Sequence, residues 1–130
     1  MENPLRKLLK KVKLKGVSMS DHKLSFNNFS DFYPYYINEH SRKNSKIVHF
    51  IGTLGIYLLL IATVTTGNLN FLWFIPVSGY GFAWFGHFVF EKNRPATFKH
   101  PFYSMRGDFT MFWHLLTGKL QFTDHAKLKN

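Results

Sequence analysis

From Ile47 to Phe90 the chain runs for 44 residues without one Asp, Glu, Lys or Arg. A buried helix of a water-soluble domain is usually about 8–20 residues long and keeps a polar face. A charge-free run of this length reads instead as membrane-embedded. As a single α-helix it would extend about 66 Å, against a hydrocarbon core of roughly 30 Å, so it has to fold back. Gly67-Asn68-Leu69-Asn70 is its most turn-like tetrapeptide. A break there leaves helices over 47–66 and 70–91, each close to the roughly 20 residues a span requires. The expected class is all-α: an integral membrane hairpin of two transmembrane helices with amphipathic or re-entrant flanking helices.

The formal net charge is +10, which calls for an anionic partner. Its distribution selects lipid. Ten Lys/Arg lie at or before Lys46 and seven at or after Lys92, so the cations flank the apolar run on both sides. Basic tails near aromatics can bind single-stranded nucleic acid, but beside such a run lipid is the simpler anion, and no nucleic-acid partner is expected. A turn free of Lys and Arg between two basic flanks predicts that both termini are cytoplasmic. A bacterial inner membrane and the endoplasmic reticulum fit equally. The basic start Leu5-Arg6-Lys7 leads into more lysines, unlike a cleavable signal peptide. Cysteine is absent, which excludes disulfides and thiolate metal sites.

Three regions are expected: a basic amphipathic extension (1–24), a His-rich embedded domain (25–122) and a polar tail (123–130). Residues 3–15 read as a helix capped by Asn3, with Pro4 at the first helical position. Pro34 is expected to split the aromatic stretch before the run into two short pieces, and Pro76 to kink the second arm. Gly79, Gly81 and Gly86 would let a neighbouring backbone approach. A last helix is expected from Asp108, as N-cap, to Thr117, stopped by Gly118.

Seven histidines carry the chemistry. His49 and His87 have their midpoint at position 68, in the expected turn, so the hairpin brings both imidazoles to one depth. Facing each other there, they can share a metal ion; each could equally hydrogen-bond a backbone carbonyl. Glu91 lies one helical turn from His87, on the same face. The three together would make a two-histidine, one-carboxylate set, the pattern of non-haem Fe(II) oxygenases. Glu91 could also pair with Arg94. His40, nine residues before His49, joins them only if the chain bends between, near Asn44-Ser45. His100, His114 and Asp108 lie in the same half of the molecule; His22 and His125 are expected to be solvated.

The strings YYINEHSRKNSKIVHFIGT (35–53), GHFVFEKNRPA (86–96) and HPFYSMRGDFTM (100–111) occur in order. They resemble the signatures of the 2-hydroxy fatty acid dioxygenase-like membrane protein family, over roughly residues 26–121. The resemblance implies Fe(II)-dependent α-oxidation, in which O₂ and a 2-hydroxy fatty acid give an acid one carbon shorter. It singles out His40, Asn44, His49, His87, Glu91 and Asp108. His114 stays a secondary ligand candidate. Lys43, Lys46, Lys92, Arg94 or Arg106 could hold a substrate carboxylate, and Arg106 is preferred because guanidinium grips it through two bonds. Asn44 is the other candidate for substrate contact. Membrane lipid is the expected surroundings, and a homo-oligomer is compatible with the sequence. The competing readings are a non-catalytic membrane scaffold, haem held by His49 and His87, and zinc at the same site.

Overall fold

The computed structural model describes residues 3–7 and 26–129, and the regular elements among them are all helices, with no strand. The expected Asn3 cap is present: its Oδ1 accepts the Leu5 N–H at 2.9 Å, opening a turn over 4–7. The rest of the expected helix to residue 15, the linker after it and His22 lie outside the described residues.

Helix α1 spans Phe29–Asn38, and Asn28 caps it by accepting the Asp31 N–H at 2.8 Å. Pro34 sits inside this helix and does not split it. A proline in a helix interior costs about 3 kcal/mol. Burying Phe32 and Ile37 returns about 1.5–3 kcal/mol each, before the rings of Tyr33 and Tyr36 are counted. Burial wins, and the helix runs on.

Helix α2, Lys43–Thr66, carries the first half of the charge-free run. It is long and apolar enough to cross a membrane, and only 17% of its apolar window is buried within the protein. Gly67, at φ 70°, ends it in the left-handed conformation that lacks a Cβ penalty, and its N–H returns to the Thr63 carbonyl. Asn68 then accepts the Asn70 N–H at 3.0 Å and starts the return. The chain therefore doubles back at the anticipated tetrapeptide.

The return arm is irregular. A 3₁₀ segment, Leu69–Phe74, gives way at Pro76 to a π-helical turn, Val77–Gly81. One α-helical turn follows, α3 (Phe82–Phe85), and then a second π-helical stretch, Gly86–Glu91. Every piece packs on α2, so the two arms form a helical hairpin. The arm holds no regular helix of spanning length, and α2 is the one helix among the described residues that passes as a membrane span. Close approach depends on glycines of both arms. A Cβ on Gly86 would come within 2.8 Å of Val48, and one on Gly52 within 2.7 Å of the Ser78 carbonyl; at Gly81 there is open space. Ser78 Oγ donates to the Gly52 carbonyl across this seam at 2.9 Å.

The last helix, α4, spans Pro101–Leu116, with Pro101 rather than Asp108 at its start. Proline suits a first turn, where its missing N–H has no intrahelical partner. This earlier start puts Asp108 mid-helix, on the face with Ser104, Met111 and Leu115 that packs against α1. Gly118, at φ 80°, follows the end as expected. The tail beyond is docked. Leu120 is buried in the core, Asp124 accepts the Lys43 N–H at 2.7 Å, and the His125 imidazole stays exposed.

Candidate metal centre

One turn, one regular helix and one π-helical stretch bring three histidines together. His40 occupies the turn between α1 and α2, so the chain bends before Asn44-Ser45 rather than at it. His49 projects from the second turn of α2, and His87 from the π-helical end of the return arm. All three are buried, and one ring nitrogen from each lies within 4.8 Å of the others. The rings meet edge to face, with centroids 4.3 Å (His40–His49), 4.5 Å (His40–His87) and 5.1 Å (His49–His87) apart.

The outer partners determine which nitrogen faces the cluster. His40 Nδ1 is 2.6 Å from the Tyr36 carbonyl, which only accepts, so Nδ1 carries the proton. His87 Nδ1 is 2.7 Å from Asn93 Oδ1. The Asn93 amide cannot be reversed, because its Nδ2 donates to the Glu39 carbonyl at 3.1 Å and to Glu39 Oε2 at 2.8 Å. His87 Nδ1 is thus a donor too. His49 Nδ1 faces Asp108 Oδ1 at 3.4 Å, and the same oxygen accepts a short hydrogen bond from the Tyr36 hydroxyl. With Nδ1 protonated, His40 and His87 keep a lone pair on Nε2, and His49 does so when its Nδ1 proton faces Asp108. The Nε2 atoms of His40 and His49 are buried with no partner. A buried polar atom without a partner costs about 1–3 kcal/mol, so two side by side indicate a missing acid, a proton or a metal ion. Burial, then the adjacent His49 and His87, holds the His40 imidazole well below its ordinary pKa, so it is neutral near pH 7. The orphaned lone pairs therefore fit a metal ion, backed by the outer hydrogen bonds that metal-binding histidines require.

The expected two-histidine, one-carboxylate set is not what the fold assembles. Glu91 spends both oxygens elsewhere: Oε2 accepts from Ser41 Oγ at 2.9 Å, and Oε1 from the Arg42 N–H at 2.6 Å. There it meets unpaired N–H groups at the start of α2, where negative charge is favoured. Asp108 supplies a carboxylate behind His49. His114 is apart from the cluster, with Nδ1 2.6 Å from the Tyr33 hydroxyl, and His100 packs its ring on Phe26 and Phe32. Arg106 lies over the Phe29 ring at 4.2 Å, and Asn44 is exposed. Lys46 is fully buried, its ammonium donating to the carbonyls of Ser41 at 3.1 Å and Thr123 at 3.0 Å. Sequence reasoning missed Asn93 and Tyr36. Both lie within the quoted strings, but neither carries the charge or imidazole that drew attention to its neighbours.

Beside the histidines, a cavity of about 200 Å³ opens between α2, the return arm and α4. His49 and Asp108 reach it; most of the remaining wall is apolar, including Ile56, Ile75, Gly79 and Phe109.

A family model described as "2-hydroxy-palmitic acid dioxygenase Mpo1-like" matches residues 26–120. The chain belongs to the Mpo1-like family. The match begins at the first aromatic residue packed on α1 and ends at Leu120, the core residue beyond α4, so it takes in all three histidines. No curated protein and no solved structure matches the chain. Membership of the Mpo1-like family points to chemistry of the dioxygenase kind on a 2-hydroxy fatty acid, and the buried histidines are compatible with a metal cofactor.

Proposed function

We propose that this protein is an Fe(II)-dependent dioxygenase that shortens 2-hydroxy fatty acids by one carbon at a membrane surface. The observation that carries the reading is the set of three buried imidazoles with a ring nitrogen of each within 4.8 Å of the others, the Nε2 atoms of His40 and His49 having no partner. Neutral imidazoles suit iron, whereas a site for Mg²⁺ or Ca²⁺ would be built of oxygens. His40, His49 and His87 would hold the ion and leave positions open. A bound Fe(II) supplies the one-electron steps that let O₂ react with a closed-shell organic acid. The overall change balances as R–CH(OH)–COOH plus O₂ giving R–COOH, CO₂ and H₂O.

The chain's own residues do the rest. Tyr36 and Asp108 orient His49, Asn93 orients His87, and the Tyr36 carbonyl orients His40. Burial raises the Tyr36 phenol well above its usual pKa, with Asp108 adding to the shift, so it stays a proton donor to that carboxylate.

The hairpin's outward residues suit lipid. Leu58, Ile61 and Val64 on α2, and Trp73, Phe74 and Val77 on the return arm, are large, apolar and exposed. We read both arms as lying in the bilayer, with the histidines at the open, basic end beside Arg42, Lys43, Lys92 and Arg94. On this reading both termini share the cytoplasmic side. A fatty acid then meets the site at headgroup depth with its tail in hydrocarbon.

Zinc is the second reading, because a three-histidine set with one open position also suits it. Haem between His49 and His87 is disfavoured, since His40 lies against both rings and leaves no slot for a flat macrocycle. Oxygen uptake decides. Protein purified in mild detergent and supplied with Fe(II) should consume O₂ with 2-hydroxypalmitate and release an acid one carbon shorter. Full activity after stripping all metal would end the proposal, as would activity with zinc alone.

A further inference from the structure

The cavity next to the histidines has a direction. His49, Thr53 and Ile56 line it from successive turns of α2, over about 10 Å of helix. At the His49 end lies Asp108; toward the other end the return arm contributes Ile75, Pro76 and Gly79. Among the described residues, no Lys or Arg lines it. A polar end beside imidazole and carboxylate, with an apolar continuation, is the shape of an amphiphile with one polar head. At about 30 Å³ per water-sized group, roughly seven such groups fit. Tyr80 and Met105, on the wall, are about half exposed, so the space opens among the apolar residues on the outside of the hairpin.

We infer that this cavity receives the first carbons of the substrate's alkyl chain, and that Ile56, packed on Gly79, is the wall that selects how wide a chain those carbons can form. The inference rests on the proposed fatty acid oxidation at the same site. A Cβ built on Gly79 would lie 3.1 Å from Ile56 Cδ1, inside ordinary contact distance, so Ile56 packs directly on Gly79 and the pair bounds the cavity there. Removing the Ile56 side chain to Cβ widens it, and adding a branched side chain at Gly79 narrows it. The remaining carbons leave past Tyr80 and Met105 into lipid.

The test uses the full-length protein in detergent with added Fe(II). It is given equimolar mixtures of straight 2-hydroxy acids and acids methyl-branched within about seven carbons of the carboxyl group, and the unreacted acids are counted by mass spectrometry. Ratios are taken against wild type, so partitioning into micelles cancels. Ile56→Ala should shift preference toward branched and bulkier tails by roughly tenfold, and Gly79→Val should shift it the other way by a similar factor. Leu58→Ala, on the outward face, should leave the ratios unchanged. Wild-type ratios in both Ile56→Ala and Gly79→Val would overturn the inference, even if turnover itself is robust.

A second readout is independent of turnover. A 2-hydroxy acid with a photoreactive diazirine near mid-chain should label the 75–80 peptide, and excess unlabelled acid should suppress that labelling. Labelling confined to the outer residues, such as Val64 and Trp73, would overturn the inference. If wild type oxidises no 2-hydroxy acid while the 75–80 peptide is still labelled competitively, the cavity assignment stands and the dioxygenase reading falls.

Discussion

The Nδ1–H of His87 donates to Asn93 Oδ1 across 2.7 Å, and the Asn93 amide is in turn fixed by two bonds to Glu39. This arrangement depends on Lys92, whose left-handed φ of 55° turns the chain back so that the Asn93 N–H reaches the His87 carbonyl at 3.1 Å. A non-glycine residue held there costs of order 1 kcal/mol or more, a cost that tends to be retained at functional sites. Asn93→Ala should therefore weaken metal binding by about 10- to 100-fold while the helical content stays unchanged. Competition against a chelator of known affinity measures this. Unchanged affinity would show that the His87 ring needs no outer partner.

Glu91 offers the contrast. Its carboxylate serves Ser41 and the start of α2 rather than the histidines. Glu91→Gln should keep the metal content of wild type and lower stability by about 1 kcal/mol, the usual size of a cap or terminus interaction. Metal analysis paired with denaturant unfolding in detergent checks both halves. Loss of the ion in this variant would restore the carboxylate to the ligand set.

What the sequence made legible follows from long-range patterning. Absence of charge from 47 to 90 located the hairpin, and the turn-like Gly67-Asn68-Leu69-Asn70 located its pivot, which the structure has at Gly67-Asn68 and which pairs His49 with His87. What stayed hidden depended on local departures from α-helical geometry. Counting four residues from His87 gives the face that Glu91 shares, but not that its side chain reaches Ser41 across the bundle. Nor does the sequence show that a left-handed Lys92 returns Asn93 to the imidazole instead. Asp108 read as a helix cap because aspartate is a good one. Pro101, an equally good start, begins the helix and places Asp108 mid-face, against Tyr36 and His49.

Tyr36 connects to two of the clustered histidines, His40 through its carbonyl and His49 through its hydroxyl and Asp108. Tyr36→Phe removes only the second link. It should lower kcat more than it changes metal content, with a total loss smaller than that of Asp108→Ala. Equal losses in the two variants would mean that the hydroxyl, not the carboxylate, fixes His49.

The pH dependence has a definite sign. His40 is held below its ordinary pKa by burial and its histidine neighbours, so in acid the unfolded chain binds its proton first. Stability from the neutral ring is complete above the unfolded value of about 6.5, and is lost as pH falls through that value toward the folded one. Protons also compete with the ion for Nε2. Metal affinity and thermal midpoint should both decline below about pH 6.5. His40→Gln, measured without metal, should lose part of this acid sensitivity. A midpoint independent of pH between about 7 and 5 would contradict the assignment of a neutral buried cluster.

The central claim is that His40, His49 and His87 share one ion. Element analysis of the iron-loaded, gel-filtered protein tests it most directly, with each of the three histidines replaced in turn by alanine and His114→Ala as the comparison. About one iron per wild-type chain is expected, with near-complete loss in each of the three variants and retention in His114→Ala, all with wild-type circular dichroism. Iron retained in any two of the three variants, or lost equally in His114→Ala, would contradict it.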